Sequence, residues 1–390
     1  MKKSLIDLCI LTILFSCQEV DTNEKIAIKP TLVEFDKEPA DLGFLDMVDS
    51  LVFIPLEFKS GKSSFFEIDR IKILGDQIIL LEERTNTVAS FSLDGSFNSI
   101  IGEKGSGPGE YVDAADLDVY DSTIYVYGKT RFKVIKYQKD GTFISEIPIS
   151  FFAERMAVTD SGYFFNGGYY DEEGFNLIFT DLVGNVKSKA LEFPLDHDTF
   201  PFNFTGGLVK TGNNSILYTD VASSEIFEIQ KGVLVSNITY RYKINFPEKN
   251  WPEEKKFNHN EFFTSLNEGY YFLRSYYNES PHHLVFEYNK DSELKSNYPQ
   301  VAYYFKEEDR LITAENLKPS IFKEYMSGPV GVYDDFFLAF LFSGKILKNE
   351  GTKPTDSVTT HVVNLIKESL DTANTEPNPV LVFYRLKKNL

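Results

Sequence analysis

The stretch from Phe91 to Tyr111 reads FSLDGSFNSIIGEKGSGPGEY. Phe91, Leu93, Phe97 and Ile100 are apolar and sit around Asp94-Gly95. Asp-Gly between two such runs predicts a β-hairpin, because glycine accepts the positive φ that a tight primed turn needs. Gly102, Gly105, Gly107, Pro108 and Gly109 follow at once. Glycines at that density permit a sharp crossover that bulkier residues would obstruct.

The hairpin recurs. Tyr137 to Phe143 (YQKDGTF) repeats Phe91 to Phe97 (FSLDGSF) 46 residues further on. Looser copies run from Phe179 to Val186 (FTDLVGNV), Phe227 to Leu234 (FEIQKGVL) and Phe286 to Leu294 (FEYNKDSEL). A period of ~40–50 residues with several short strands in each is the pattern of propeller blades. Aromatics make up 15% of the 390 residues, with Phe 35 and Tyr 22. That favours β-structure, where such side chains pack on a pleated surface.

On these residues the chain resembles the six-bladed β-propeller lipoproteins of the Bacteroidetes, relatives of NHL- and TolB-type propellers. The DG hairpins carry the resemblance, with the GEKGSGPGEY loop, the closing NPVLVFYRLKK from Asn378 to Lys388, and VFIPLEF from Val52 to Phe58. The resemblance implies an all-β fold of six four-stranded antiparallel blades over residues 48–390, with short helical insertions. It also implies that Leu51 to Leu56 closes the ring by joining the last blade, which leaves no open sheet edge.

Residues 1–16 read as a secretory signal: Lys2 and Lys3 precede an apolar stretch too short to span a bilayer. Leu14-Phe15-Ser16-Cys17 resembles a lipobox, with Cys17 as the lipid-bearing first residue. Residues 17–47 then form a polar tether to the outer membrane, whose Gln18-Glu19-Val20-Asp21 resembles a surface-export signal. Cys9 and Cys17 are the 2 cysteines, so the mature fold has none for a disulfide or a thiol nucleophile. The net charge of −18 argues against nucleic acid, which needs a basic face. A monomer is expected.

Blades are expected from Ile68 to Ile101, Ala114 to Ile149, Met156 to Phe193, Phe204 to Ile244, Phe262 to Tyr304, and Gly331 to Leu386. Ser357 to Leu370 carries Val358, Val362, Leu365, Ile366 and Leu370 at helical spacing, which predicts an amphipathic helix. Phe246 to Phe262 and Lys306 to Met326 read as further insertions.

Loops from second to third strand and between blades emerge on one face. That face is expected to bind a glycan or peptide through Arg84, Tyr111, Arg131, Trp251, Arg274, Tyr276 and His282, with His283 solvated beside His282. Amphipathic aromatics among polar groups suit such recognition. The glycine loop is neither a P-loop nor a dinucleotide fingerprint, so it reads as a structural crossover. No G-x-S-x-G or H-E-x-x-H is present. Some propeller enzymes hold a divalent ion in the channel; Asp69, Asp113, Glu154, Asn203 and Glu261 would be the oxygen ligands for calcium here. Three readings follow: a cell-surface or periplasm-facing binding propeller, a metal-dependent lyase or hydrolase, and a partner of an outer-membrane protein assembly.

Overall fold

A computed structural model describes residues 29–35, 41–59, 63–196, 207–211, 215–220, 223–230, 238–246, 270–289, 300–348, 356–368 and 377–390. Six antiparallel four-stranded blades stand in a ring and form a six-bladed β-propeller, five of them from strands consecutive in the chain. Blade one comprises Arg70–Leu74, Gln77–Glu82, Thr87–Ser92 and Phe97–Ile100, from the axis outward. Blade two has Asp116–Tyr120, Thr123–Gly128, Lys133–Gln138 and Phe143–Pro148. Blade three has Arg155–Val158, Tyr163–Asn166, Phe175–Thr180 and Val186–Glu192. Blade four has Leu208–Lys210, Ile216–Thr219, Glu225–Ile229 and Ile238–Asn245. Blade five has Phe272–Glu279, His283–Asn289, Gln300–Phe305 and Arg310–Thr313. Blade six takes Gly331–Tyr333, Phe336–Leu341 and Val380–Leu386 from the end of the chain and Val48–Pro55 from its beginning.

Second strands such as Gln77–Glu82 and Thr123–Gly128 are buried on both faces, because each blade is sandwiched between two neighbours. That is why their sequences, QIILLE and TIYVYG, run apolar instead of alternating. The glycine turns fix how blades meet. Gly95 donates its N–H to the Ser92 carbonyl, and Ser92 donates to the Ser96 carbonyl. Gly95 has φ +89° and Asp94 does not share it, so this is a three-residue loop with a glycine bulge in place of the two-residue primed turn expected. Gly141 and Gly184 repeat it, at φ +87° and +89°. A Cβ on Gly95 would overlap the Pro55 carbonyl, at the outer-strand end of the preceding blade.

The ring closes as expected. Val48–Pro55 pairs antiparallel with Val380–Leu386, Phe53 opposite Val382. Buried Asn378 ties this blade to the next. Its Oδ1 accepts the Phe65 N–H at 2.9 Å, and its Nδ2 donates to the Ser63 carbonyl at 2.7 Å and the Glu57 carbonyl at 3.2 Å. The amphipathic helix is Ser357–Glu368; Asp356 caps it, and Val362 and Ile366 join the core of blade six.

Three expectations change. The segment before Val48 is not all tether: Thr31–Glu34 adds a parallel fifth strand to blade four, and Phe44–Met47 forms a buried helical turn. Phe35 packs on Phe246 at 5.0 Å and Tyr288 at 5.1 Å, because that rim is apolar. Lys306–Met326 is not an insertion alone, since Arg310–Thr313 within it is the outer strand of blade five. Blade five is also displaced by one strand from its expected phase. His283–Asn289 is its second strand, not its third, and its last turn at residues 306–309 carries no glycine.

Candidate functional site

Inner strands run from one face, here the upper, to the lower. The start of each inner strand, the turn from second to third strand and the links between blades therefore share the upper face. Asp69 shows this, accepting the Glu83 N–H at 2.8 Å across the channel mouth of blade one.

The upper face carries an aromatic shelf between blades two and three. Phe152, on the link between them, meets Phe132 edge-on at 6.3 Å and 87°, and Tyr170 at 4.7 Å and 66°. Phe132 and Tyr170 are 41% and 40% exposed. Phe132 has φ +47° and Tyr169 has φ +66°, uncommon for bulky residues and strained when they occur. The strain is held from below. Tyr169 is buried, and its hydroxyl bonds Asp220. Asn176 accepts the Tyr169 N–H at 3.0 Å and donates to the Tyr218 hydroxyl at 3.0 Å. In each doublet one ring faces inward and one outward: Phe151 packs on Phe165 at 5.2 Å while Phe152 forms the shelf. On blade one, Phe66 is 50% exposed under the Arg84 guanidinium at 5.3 Å. The Glu82 carboxylate positions that loop by accepting the Phe66 and Glu67 N–H groups at 2.9 and 3.0 Å.

Beneath the mouth, charged side chains close the axis. Arg70 Nε donates to Asp116 at 2.8 Å, and Arg155 Nη1 to Glu83 and to the Ala115 carbonyl, both at 2.6 Å. Two residues further along the same strands, Lys72 meets Asp118 at 3.2 Å. Asp116 and Asp118 also accept the Met156 and Val158 N–H groups of blade three, at 2.9 and 2.8 Å. The ladder follows from the two-residue repeat of a strand, which turns alternate side chains to one side. Burial would raise the Asp118 carboxyl, but Lys210 and Lys72 outweigh it and hold it at about 2.

The sequence candidates divide. Arg84 and Arg131 are exposed on the upper face, and Arg131 donates to Ser106 at 3.4 Å. Tyr276 lies in the channel wall, not in a loop; its hydroxyl donates to Asp69 at 3.3 Å and its ring faces Arg70 at 5.8 Å. Arg274 is two residues earlier on that inner strand, with its charge felt by Glu67 and Glu287. Tyr111 is a core residue: it is 1% exposed and donates to the Ile101 carbonyl at 2.9 Å. His282 lies on the lower face, with Nδ1 2.8 Å from Glu307, because the strand slip in blade five inverts the face of its turns. His283 is buried, not solvated, and burial lowers its pKa to about 4. Trp251, Asn203, Glu261 and Cys17 lie outside the described residues.

Of the oxygen ligands expected for calcium, the three that are described are engaged by other groups. Asp113 accepts the Thr130 N–H at 3.1 Å, Glu154 pairs with Lys129 at 2.9 Å, and Asp69 caps Glu83 as above. Among the described residues, no three His, Cys, Asp or Glu side chains cluster as metal ligands. The shelf was missed because an aromatic doublet at a strand end reads as core; its sequence signal was the pairs Phe151-Phe152 and Tyr169-Tyr170 in upper loops.

The fold and this face define a six-bladed propeller with a charged, closed axis and an aromatic upper surface. The chain belongs to the DUF4934 family, described as a domain of unknown function, whose model matches residues 29–385. It is similar to a Bacteroides fragilis protein described as exported, at 22% identity over 92% of this chain and 100% of that chain, with a TM-score of 0.74. It is also similar to a DUF4221 family member from Bacteroides vulgatus, at 11% identity over 87% and 97% of the two chains, TM-score 0.52. Both show the shared fold. No curated protein matches the chain.

Proposed function

We propose that the chain is a binding propeller of the cell envelope whose upper face captures a polypeptide segment through its aromatic shelf. The observation that carries this is the exposed Phe132–Phe152–Tyr170 cluster, in which the left-handed Tyr169 next to Tyr170 is held by buried polar contacts. Rings set at 87° and 66° form a notch that suits an inserted apolar side chain better than a flat sugar face. Arg84 and Arg131 add positive charge at the margin.

The signal-like start, the lipobox-like Cys17 and the exported relative support an outer-membrane, lipid-anchored protein facing the periplasm or the surface. Among the described residues no helix is long and apolar enough to cross a membrane. The metal-dependent lyase is the weaker reading, because arginine and lysine occupy the carboxylates of the channel.

A phage-displayed dodecapeptide library and a bacterial glycan array, each probed with wild type and with Phe152→Ala/Tyr170→Ala, test the reading. Enrichment of Phe-, Leu- or Trp-bearing peptides by wild type alone supports it. Glycan binding lost in the same variant would keep the face and change the ligand class. Equal binding by both proteins would overturn it.

A further inference from the structure

Below the Arg70 layer the axis opens into a cavity of about 190 Å3, walled by inner strands of five blades. Two lysines from different blades converge there on one carboxylate. Lys72 and Lys210 lie 3.2 and 2.8 Å from Asp118, whose side chain is 3% exposed. The Asp118 oxygens also accept the Val119 and Val158 N–H groups, at 2.9 and 2.8 Å. One negative charge therefore stands against two positive ones. Arg70, above, is already matched by Asp116 at 2.8 Å. The other acid on the wall, Asp334, is exposed at the lower mouth, where water and salt screen it.

An excess positive charge at a low-dielectric wall is unfavourable unless an anion joins it. Lys210 shows the tension: burial lowers its pKa, Asp118 opposes that, and Lys72 adds to it. The remaining wall is mixed, with Ile73, Val119, Val209 and Val332 beside Thr211 and Asn278. Such a wall suits a carbon skeleton more than a bare inorganic ion. The volume lies below the ~300–1,000 Å3 of drug-sized sites.

We propose that this cavity binds the carboxylate of a small organic acid or of a peptide C-terminus, held by Lys72 and Lys210 and entered from the lower face. Ile73, Thr211 and Tyr333 lie at the lower ends of their strands, whereas Arg70, Asp116 and Arg155 close the upper side. The site is separate from the aromatic shelf and does not rest on it.

Calorimetry on the full chain tests this with succinate, acetate, a tetrapeptide with a free C-terminus and the same tetrapeptide amidated. Saturable binding of at least one carboxylate is expected, weakened about tenfold or more by Lys210→Met, since a charged hydrogen bond is lost. If Lys210→Met does not fold, Lys72→Gln, at a more exposed position, supplies the same comparison. The amidated tetrapeptide reports any binding at the shelf, so the difference between the free and the amidated peptide separates failure here from failure there. Binding of the free tetrapeptide but not its amide assigns the site to chain ends; binding of succinate or acetate alone assigns it to free acids. No saturable binding by wild type, or undiminished binding by the lysine variants, would overturn the proposal.

Discussion

Asp118 of blade two holds Lys210 of blade four across the axis at 2.8 Å, while Lys72 of blade one reaches the same carboxylate at 3.2 Å. With the Val158 N–H of blade three, which it also accepts, four blades are thus joined through one acid. Removing that acid would leave two ammonium groups facing each other. We expect Asp118→Asn to destabilise by about 3–5 kcal/mol, the range for breaking a buried ion pair. Asp118→Asn combined with Lys210→Met should lose less than the sum of the single variants. Urea unfolding of the four proteins measures this, and additive losses would deny the coupling.

The glycine turns are not equivalent. At Gly95 a Cβ would overlap the Pro55 carbonyl, whereas at Gly141 it would stand 3.2 Å from the Ile100 carbonyl. Both have positive φ. Gly95→Ala should therefore destabilise by about 3 kcal/mol and Gly141→Ala by about 1 kcal/mol. Thermal melts rank them; the reverse order would refute the packing argument.

Two buried groups set opposing pH dependences. Burial pushes the Glu287 carboxyl up to about 7 from its ordinary 4.5, despite the Arg274 charge and the Gly328 N–H. The folded protein then keeps a proton that the unfolded chain releases, so this contribution is full below pH 4.5 and is lost as pH rises through 7. Burial lowers His283 to about 4 from 6.5, so its contribution is full above pH 6.5 and is lost as pH falls towards 4. A shallow profile between pH 4.5 and 6.5 is expected for wild type. Relative to wild type, Glu287→Gln should gain on the order of 3 kcal/mol between pH 4.5 and 8. A constant difference between the two proteins across that range would show that Glu287 is not kept neutral by burial.

Chelation gives a simpler check. Asp69, Asp113 and Glu154 already serve N–H groups or Lys129, and none faces another acid in a metal-sized cluster among the described residues. EDTA should leave the melting temperature unchanged, and added calcium should not raise it. A shift of several degrees on chelation would bring the metal reading back.

Much of the ring was legible because its turns have strict steric demands. Gly95, Gly141 and Gly184 must be glycine, so the first three blades announce themselves in sequence. Blade five has no such marker: its last turn is Lys306–Asp309, and its inner strand is broken by a bulge between Leu273 and Tyr277. A slip of one strand there sends every loop to the opposite face, which is how His282 was misplaced. Arg84 and Arg131 were placed on the correct face because their blades were in phase. Tyr111 could not be read correctly, since an aromatic in a glycine loop looks exposed until its hydroxyl is seen to reach Ile101. The charge ladder was hidden for another reason: Arg70, Asp116 and Lys210 lie on three strands far apart in sequence, and only closure of the ring brings them together.

That closure also inverts the order of manufacture. Val48–Pro55 is among the first parts of the described chain to be synthesised, yet its partner Val380–Leu386 is among the last. Until then the early strand is an apolar segment with nowhere to pair, and the contact it awaits is among the most sequence-distant in the molecule. An unpaired strand edge of this kind is the feature that promotes aggregation, and ring closure is the step that removes it.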